Sequence, residues 1–215
     1  MATARLATKL NILILHGYVR SAATTAHDTR KLRDILDRAA VLHYVDGPPM
    51  PPNSFPSRPW WLMDQALEFD PSDGSSRWDD VVKWWSAELS ERHYDGIIGL
   101  SQGSAMTALL LSMVNHPERV PGFSPTKKQD FKFGIFCSGF VSYNSPRGEI
   151  YGMPDIPTLH TVDNEDTFVP AARTLELQGK CSSNSALYRH SEGHEIPVGG
   201  NFPKLFRDFI LDATK

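Results

Sequence analysis

Short apolar runs alternate along this chain with stretches whose apolar positions recur every three to four residues. The first run, LNILIL at 10–15, is apolar almost throughout and ends at His16-Gly17. A strand with one wet face would alternate, so a near-continuous run predicts a strand buried on both faces. Further strands are predicted over 41–45, 96–100, 133–137, 158–162 and 186–189. Helical spacing predicts a helix over 24–38, with Leu32, Ile35 and Leu36 on one side. Another is predicted over 77–92, where Val81, Val82, Trp85 and Leu89 share a face. Helices are also expected over 102–115, ending near Pro117, and over 171–177 and 202–211. Strand–helix alternation of this kind implies an α/β fold, with about six mainly parallel strands and helices on both faces. Active sites in such sheets lie at the carboxyl ends of the strands.

Composition narrows the picture. The chain has 215 residues, 40% of them hydrophobic, enough for one domain with a sizeable core. Lys and Arg number 22 against 25 Asp and Glu, a net charge of −3 with no basic stripe, so nucleic acid is not expected as a partner. No apolar run approaches the ~20 residues that span a bilayer, and no membrane partner is expected. The first 16 residues lack a separate leader with a cleavage site. Cys137 and Cys181 form no disulfide framework, which suits a reducing cytoplasm. The two cysteines are far apart, and the one H-x-x-x-H pair, His190 and His194, has no Cys-x-x-Cys or H-E-x-x-H partner, so no metal or cofactor is expected. Six of the 16 prolines fall within 47–60, predicting an extended, irregular loop beside Trp60 and Trp61.

Gly99-Leu100-Ser101-Gln102-Gly103 fits G-x-S-x-G, a pattern that arises by chance in roughly one in fifteen chains of this length. Its setting is more telling, because a predicted strand precedes it and a predicted helix follows. That is the setting of a nucleophile elbow. Ser101 would stand at a sharp turn, and side chains at 99 or 103 would clash with the crossing elements. The competing reading is that Ser101 only caps the helix.

A serine hydroxyl is a weak nucleophile until a base takes its proton, and in this architecture the acid and then the histidine follow later in the chain. After the strand at 158–162 come Asp163, Glu165 and Asp166; around the end of the strand at 186–189 come His190 and His194. His194, in the loop behind Gly193, is preferred as the base. Asp166 is preferred as the acid, with Asp163 and Glu165 read as ordinary turn carboxylates. The oxyanion hole would draw on the backbone N–H groups of Gln102 and Tyr18, and His16 would order the Tyr18 loop without moving protons.

These residues, with ILILHGY at 12–18, YVDGPPMPP at 44–52, RPWW at 58–61, YDGIIGLSQGSA at 94–105, CSGF at 137–140, PTLHTVDNEDTFVP at 157–170 and HSEGHEIP at 190–197, resemble the fungal serine hydrolase (FSH) family. An ovarian-tumour-associated serine hydrolase is related to that family. The resemblance covers about residues 10–209. It implies an α/β-hydrolase fold without a large cap, and Ser101, Asp166 and His194 as nucleophile, acid and base. It also implies medium-to-long acyl esters as substrates, or thioesters released from an acyl carrier protein in fungal secondary metabolism. The family usually has glycine at positions 163 and 192; here carboxylates stand there and put extra negative charge near the acid and base.

The expected chemistry is therefore acyl transfer to water, with an apolar wall for the acyl chain built from Phe55, Trp60, Trp61, Met63 and Phe140. The competing reading for Trp60 and Trp61 is core packing. A hydrolase-fold protein that binds a ligand without turnover, and a lyase or transacylase using the same serine, are the alternatives.

Overall fold

The computed structural model describes residues 8–50, 57–63, 77–144 and 146–215. Six strands, β1 (Leu10–Leu15), β2 (Ala40–Val45), β3 (Gly96–Leu100), β4 (Phe133–Cys137), β5 (Thr158–Asp163) and β6 (Ser185–His190), form one sheet in the order β2-β1-β3-β4-β5-β6. Every pairing is parallel.

Strand side chains alternate between two cores. Ile12 and Ile14 pack with Leu32, Leu36, Phe206 and Ile210 on one face; Leu13 and Leu15 pack with Trp85, Ala105 and Leu109 on the other. This is why LNILIL carries no polar face. The helices are α1 (Ala22–Asp28), α2 (Arg30–Leu36), α3 (Trp78–Glu91), α4 (Gln102–Asn115), α5 (Ala171–Gln178) and α6 (Phe202–Ala213). Residues 102 to 113 of α4 are all buried, so its sequence is apolar nearly all round.

The single helix expected over 24–38 is two. Thr29 separates α1 from α2, and its hydroxyl donates to the Thr25 carbonyl at 2.7 Å and shares a hydrogen bond with the Tyr44 hydroxyl at 2.7 Å. A side chain that competes for backbone groups in this way interrupts an otherwise helical pattern.

The strand order reverses between β1 and β3, since the chain runs outward to β2 and returns past β1. Open parallel sheets hold ligands at such a switch point, beyond the carboxyl ends of the strands. Here the loop after β1 and the turn after β3 meet at that point.

One core residue carries a pH dependence. His160 of β5 is fully buried, its ring stacked on Phe136 at 4.7 Å with its Nε2 3.4 Å from Cys181 Sγ. Burial drives its pKa down to about 3. The unfolded chain takes up this proton near pH 6.5 and the folded chain does not, so stability is lost as pH falls from about 6.5 towards 3. At pH 5 this amounts to about 2 kcal/mol. Urea unfolding of His160→Phe, which keeps the stacked ring, shows a smaller loss between pH 7 and pH 5 by that amount; an identical loss in both proteins rules the assignment out.

Candidate active site

β3 ends at Leu100, and Ser101 takes φ 56°, ψ −119° before α4 begins. A residue other than glycine at positive φ is strained by about 1–3 kcal/mol. The Ser101 hydroxyl makes no cap hydrogen bond, so the capping reading does not hold. The turn is fixed from both sides. The Ser101 N–H donates to the Cys137 carbonyl at 2.9 Å, and the Ser104 hydroxyl reaches the Gly99 and Cys137 carbonyls at 2.6 and 2.9 Å. A Cβ on Gly103 would lie 2.4 Å from the Leu15 carbonyl oxygen, and one on Gly99 would lie 2.4 Å from that of Gly103. The two glycines let α4 cross β1 in contact.

Asp166 and His194 come together from the loops after β5 and β6. His194 Nδ1 lies 2.6 Å from Asp166 Oδ2 and donates to it, which leaves Nε2 as the basic nitrogen. The other carboxylate oxygen accepts the Phe168 and Val169 amides at 2.8 and 3.0 Å. Burial works to raise the Asp166 pKa, but the His194 hydrogen bond and the Val169 amide outweigh it and hold the carboxyl below its ordinary value. The rejected candidates point elsewhere. His190 accepts the Glu192 amide at 3.3 Å and packs edge-on against Phe202 of α6, and Glu165 is exposed.

Ser101 and His194 line one cavity of about 500 Å³, with Gly17, Tyr18, Met63, Leu100, Phe140 and Phe168 among its walls. That volume suits a small-molecule ligand. Among the described residues no hydrogen bond joins the Ser101 hydroxyl to His194. Catalytic hydrogen bonds are often loose until substrate binds.

The loop after β1 approaches the serine closely: a Cβ on Gly17 would lie 3.5 Å from Ser101 Cβ. His16 Nδ1 donates to the Gly17 carbonyl at 2.7 Å, and burial lowers the His16 pKa against that bond and the nearby Asp46. The Tyr18 hydroxyl donates to the Met63 carbonyl at 3.3 Å and accepts the Met63 amide at 3.2 Å. Gln102 opens α4, where the first amides have no intrahelical partner.

The pocket expectation needs correction. Met63 and Phe140 line the cavity, but Trp60 and Trp61 do not. Trp60 is fully buried, stacked on Trp85 at 5.2 Å and on His16 at 5.4 Å, with its indole N–H on the His16 carbonyl. Trp61 is buried beneath the Arg147 guanidinium. Phe55 lies outside the described residues.

Two contributors escaped the sequence reading. The Gln102 side chain, which drew notice only for its backbone N–H, accepts the Trp60 amide at 3.0 Å and donates to the Trp61 carbonyl at 2.8 Å. The available signal was a long polar side chain at the start of a helix that is otherwise largely apolar. Asp163, read as a solvated turn acid, is buried. It accepts the Gly193 amide at 2.7 Å and the Glu165 amide at 2.8 Å, and these two bonds hold its carboxyl below the usual value. It therefore ties the loop carrying Asp166 to the loop carrying His194. Glu192 is likewise committed, to the Val198 and Gly199 amides.

The family model described as serine hydrolase (FSH1) matches residues 4–204. The chain belongs to this serine hydrolase family. A fission yeast (Schizosaccharomyces pombe) protein named dihydrofolate reductase is 26% identical over 95% of this chain, which spans 47% of that relative's length. Esterase OVCA2 of Xenopus tropicalis is 29% identical, over 94% of this chain and 92% of the relative. Among solved structures, acyl-protein thioesterase 2 of Zea mays superposes with a TM-score of 0.66 at 17% identity, covering 96% of this chain and 97% of that one. The serine hydrolase thus has the α/β-hydrolase fold that its resemblance implied. Among its described residues no helix is long and apolar enough to cross a membrane, and no group of three His, Cys, Asp or Glu could hold a metal.

Proposed function

We propose that this chain hydrolyses carboxylic esters or thioesters of medium-to-long acyl groups through an acyl-enzyme on Ser101. The supporting observation is that His194, its Nδ1 committed to Asp166, lines the same cavity as the strained Ser101. Ser101 Oγ attacks the carbonyl carbon as its proton passes to His194 Nε2, and the Gln102 and Tyr18 amides hold the oxyanion. His194 then protonates the departing alcohol or thiol. A water deprotonated by His194 attacks the acyl-enzyme, releasing the acid and restoring Ser101. Asp166 keeps the imidazole in the tautomer this sequence needs and stabilises the imidazolium. Each oxyanion donor is worth about 3–4 kcal/mol in the transition state. Met63 and Phe140 supply apolar wall for the acyl chain.

A fluorophosphonate probe tests the reading. It labels the wild type on the Ser101 peptide and fails to label Ser101→Ala, and a panel of acyl esters and thioesters of graded length then ranks substrates. A folded wild type that is unlabelled, or labelled elsewhere, transfers the weight to a ligand-binding protein.

A further inference from the structure

We infer that Arg173 selects substrates that carry an anionic group, either a carboxylate at the far end of the acyl chain or a phosphate on the leaving thiol. The inference rests on the hydrolase reading above and adds a substrate class to it.

The cavity that holds Ser101 and His194 is lined by four further charged side chains, Arg20, Arg173, Glu192 and Glu195. Three of them are already answered. Arg20 is paired with Asp28 and Glu195, and Glu192 accepts the Val198 and Gly199 amides. Glu176, the acid one turn further along α5, accepts from the Tyr143 hydroxyl. Arg173 differs. Its guanidinium lies 4.6 Å from the centre of the Phe140 ring, which is itself a wall of the cavity. No ion pair or side-chain hydrogen bond joins it to another described residue.

The surrounding backbone adds to this positive field. α5 starts at Ala171 with no acidic residue in its first turn and no side-chain cap. Val169 and Arg173, on either side of that start, both line the cavity. A helix start favours negative charge. A guanidinium stacked on an aromatic face also has its fork of donors pre-arranged for carboxylate or phosphate. An uncharged alkyl chain filling the cavity would strip water from Arg173 and give it no partner, which costs binding. A substrate with an anionic group near Phe140 avoids that cost and gains charge-assisted hydrogen bonds.

Two matched pairs test this and separate the sources of charge. The first is the mono-p-nitrophenyl ester of adipic acid against p-nitrophenyl hexanoate. The second is hexanoyl-coenzyme A against hexanoyl-N-acetylcysteamine. The readout is the ratio of kcat/KM, anionic over neutral, within each pair, which is independent of the active fraction of a preparation. In the wild type the ratio favours the anionic member of at least one pair. Arg173→Gln lowers that ratio about 10- to 100-fold, through KM more than kcat, and Arg173→Lys restores most of it. Ratios unchanged by Arg173→Gln in both pairs overturn the inference and leave the hydrolase reading intact. No turnover of any of the four compounds, together with no Ser101-dependent fluorophosphonate labelling, overturns both.

Discussion

Asp166→Asn lowers kcat about 10⁴-fold, with little change in KM. The reason is written in which oxygen does what. One carboxylate oxygen accepts the Phe168 and Val169 amides, and the other accepts the imidazole N–H of His194 at 2.6 Å. Asparagine has a single acceptor. Two backbone amides fix it on their side, which turns the new NH₂ group towards His194. The ring must then accept at Nδ1 and carry its proton on Nε2, the nitrogen that should receive the serine proton. Steady-state kinetics on the best ester of the panel measures the loss. His194→Ala combined with Asp166→Asn is no slower than His194→Ala alone, because the two residues act as a unit. A tenfold loss or less in Asp166→Asn would mean that the pair does not serve proton transfer.

Gly103→Ala destabilises the fold by about 3 kcal/mol, lowering Tm by roughly 6–12 °C. The added Cβ would stand 2.4 Å from the Leu15 carbonyl oxygen and 2.6 Å from that of His16. Both obstacles are backbone at the end of β1, so no rotamer change relieves them. α4 must lift away, and it carries Gln102 with it. Activity falls further than stability does, because the amide of Gln102 moves relative to the loop that holds Tyr18. Differential scanning calorimetry measures the first effect, and kcat at a temperature where the variant is fully folded measures the second. A Tm within 2 °C of wild type would show that the crossing has slack.

Much of this could be read along the chain because the informative signals were local. β1 and α4 are buried on all sides, so their composition alone marks them. The elbow is a five-residue pattern between a strand and a helix, and the acid and base loops follow strand ends in the order the fold requires. What could not be read depends on contacts between distant segments. Whether Trp60 faces ligand or core is decided by Gln102, His16 and Trp85, each at least 25 positions away. The break at Thr29 depends on Tyr44 across the helix–sheet contact. Asp163 looked like any turn acid until the Gly193 amide stood opposite it, and nothing in the spacing placed Arg173 on Phe140.

The aromatic cluster has one further consequence. All five tryptophans lie on one side of the sheet. Trp60, Trp84 and Trp85 have ring centres 4.7–5.9 Å apart, and Trp61 and Trp78 flank the Arg147 guanidinium. The α6 side holds phenylalanines, aliphatic residues, Cys137 and Tyr44, and no tryptophan. Tryptophan emission and the tryptophan bands of the near-ultraviolet circular dichroism therefore watch only half of the molecule. They register the release of α3 and residues 57–63 from the sheet and are blind to loosening around α6, so an optical melting curve and a calorimetric one coincide only if the two halves open together.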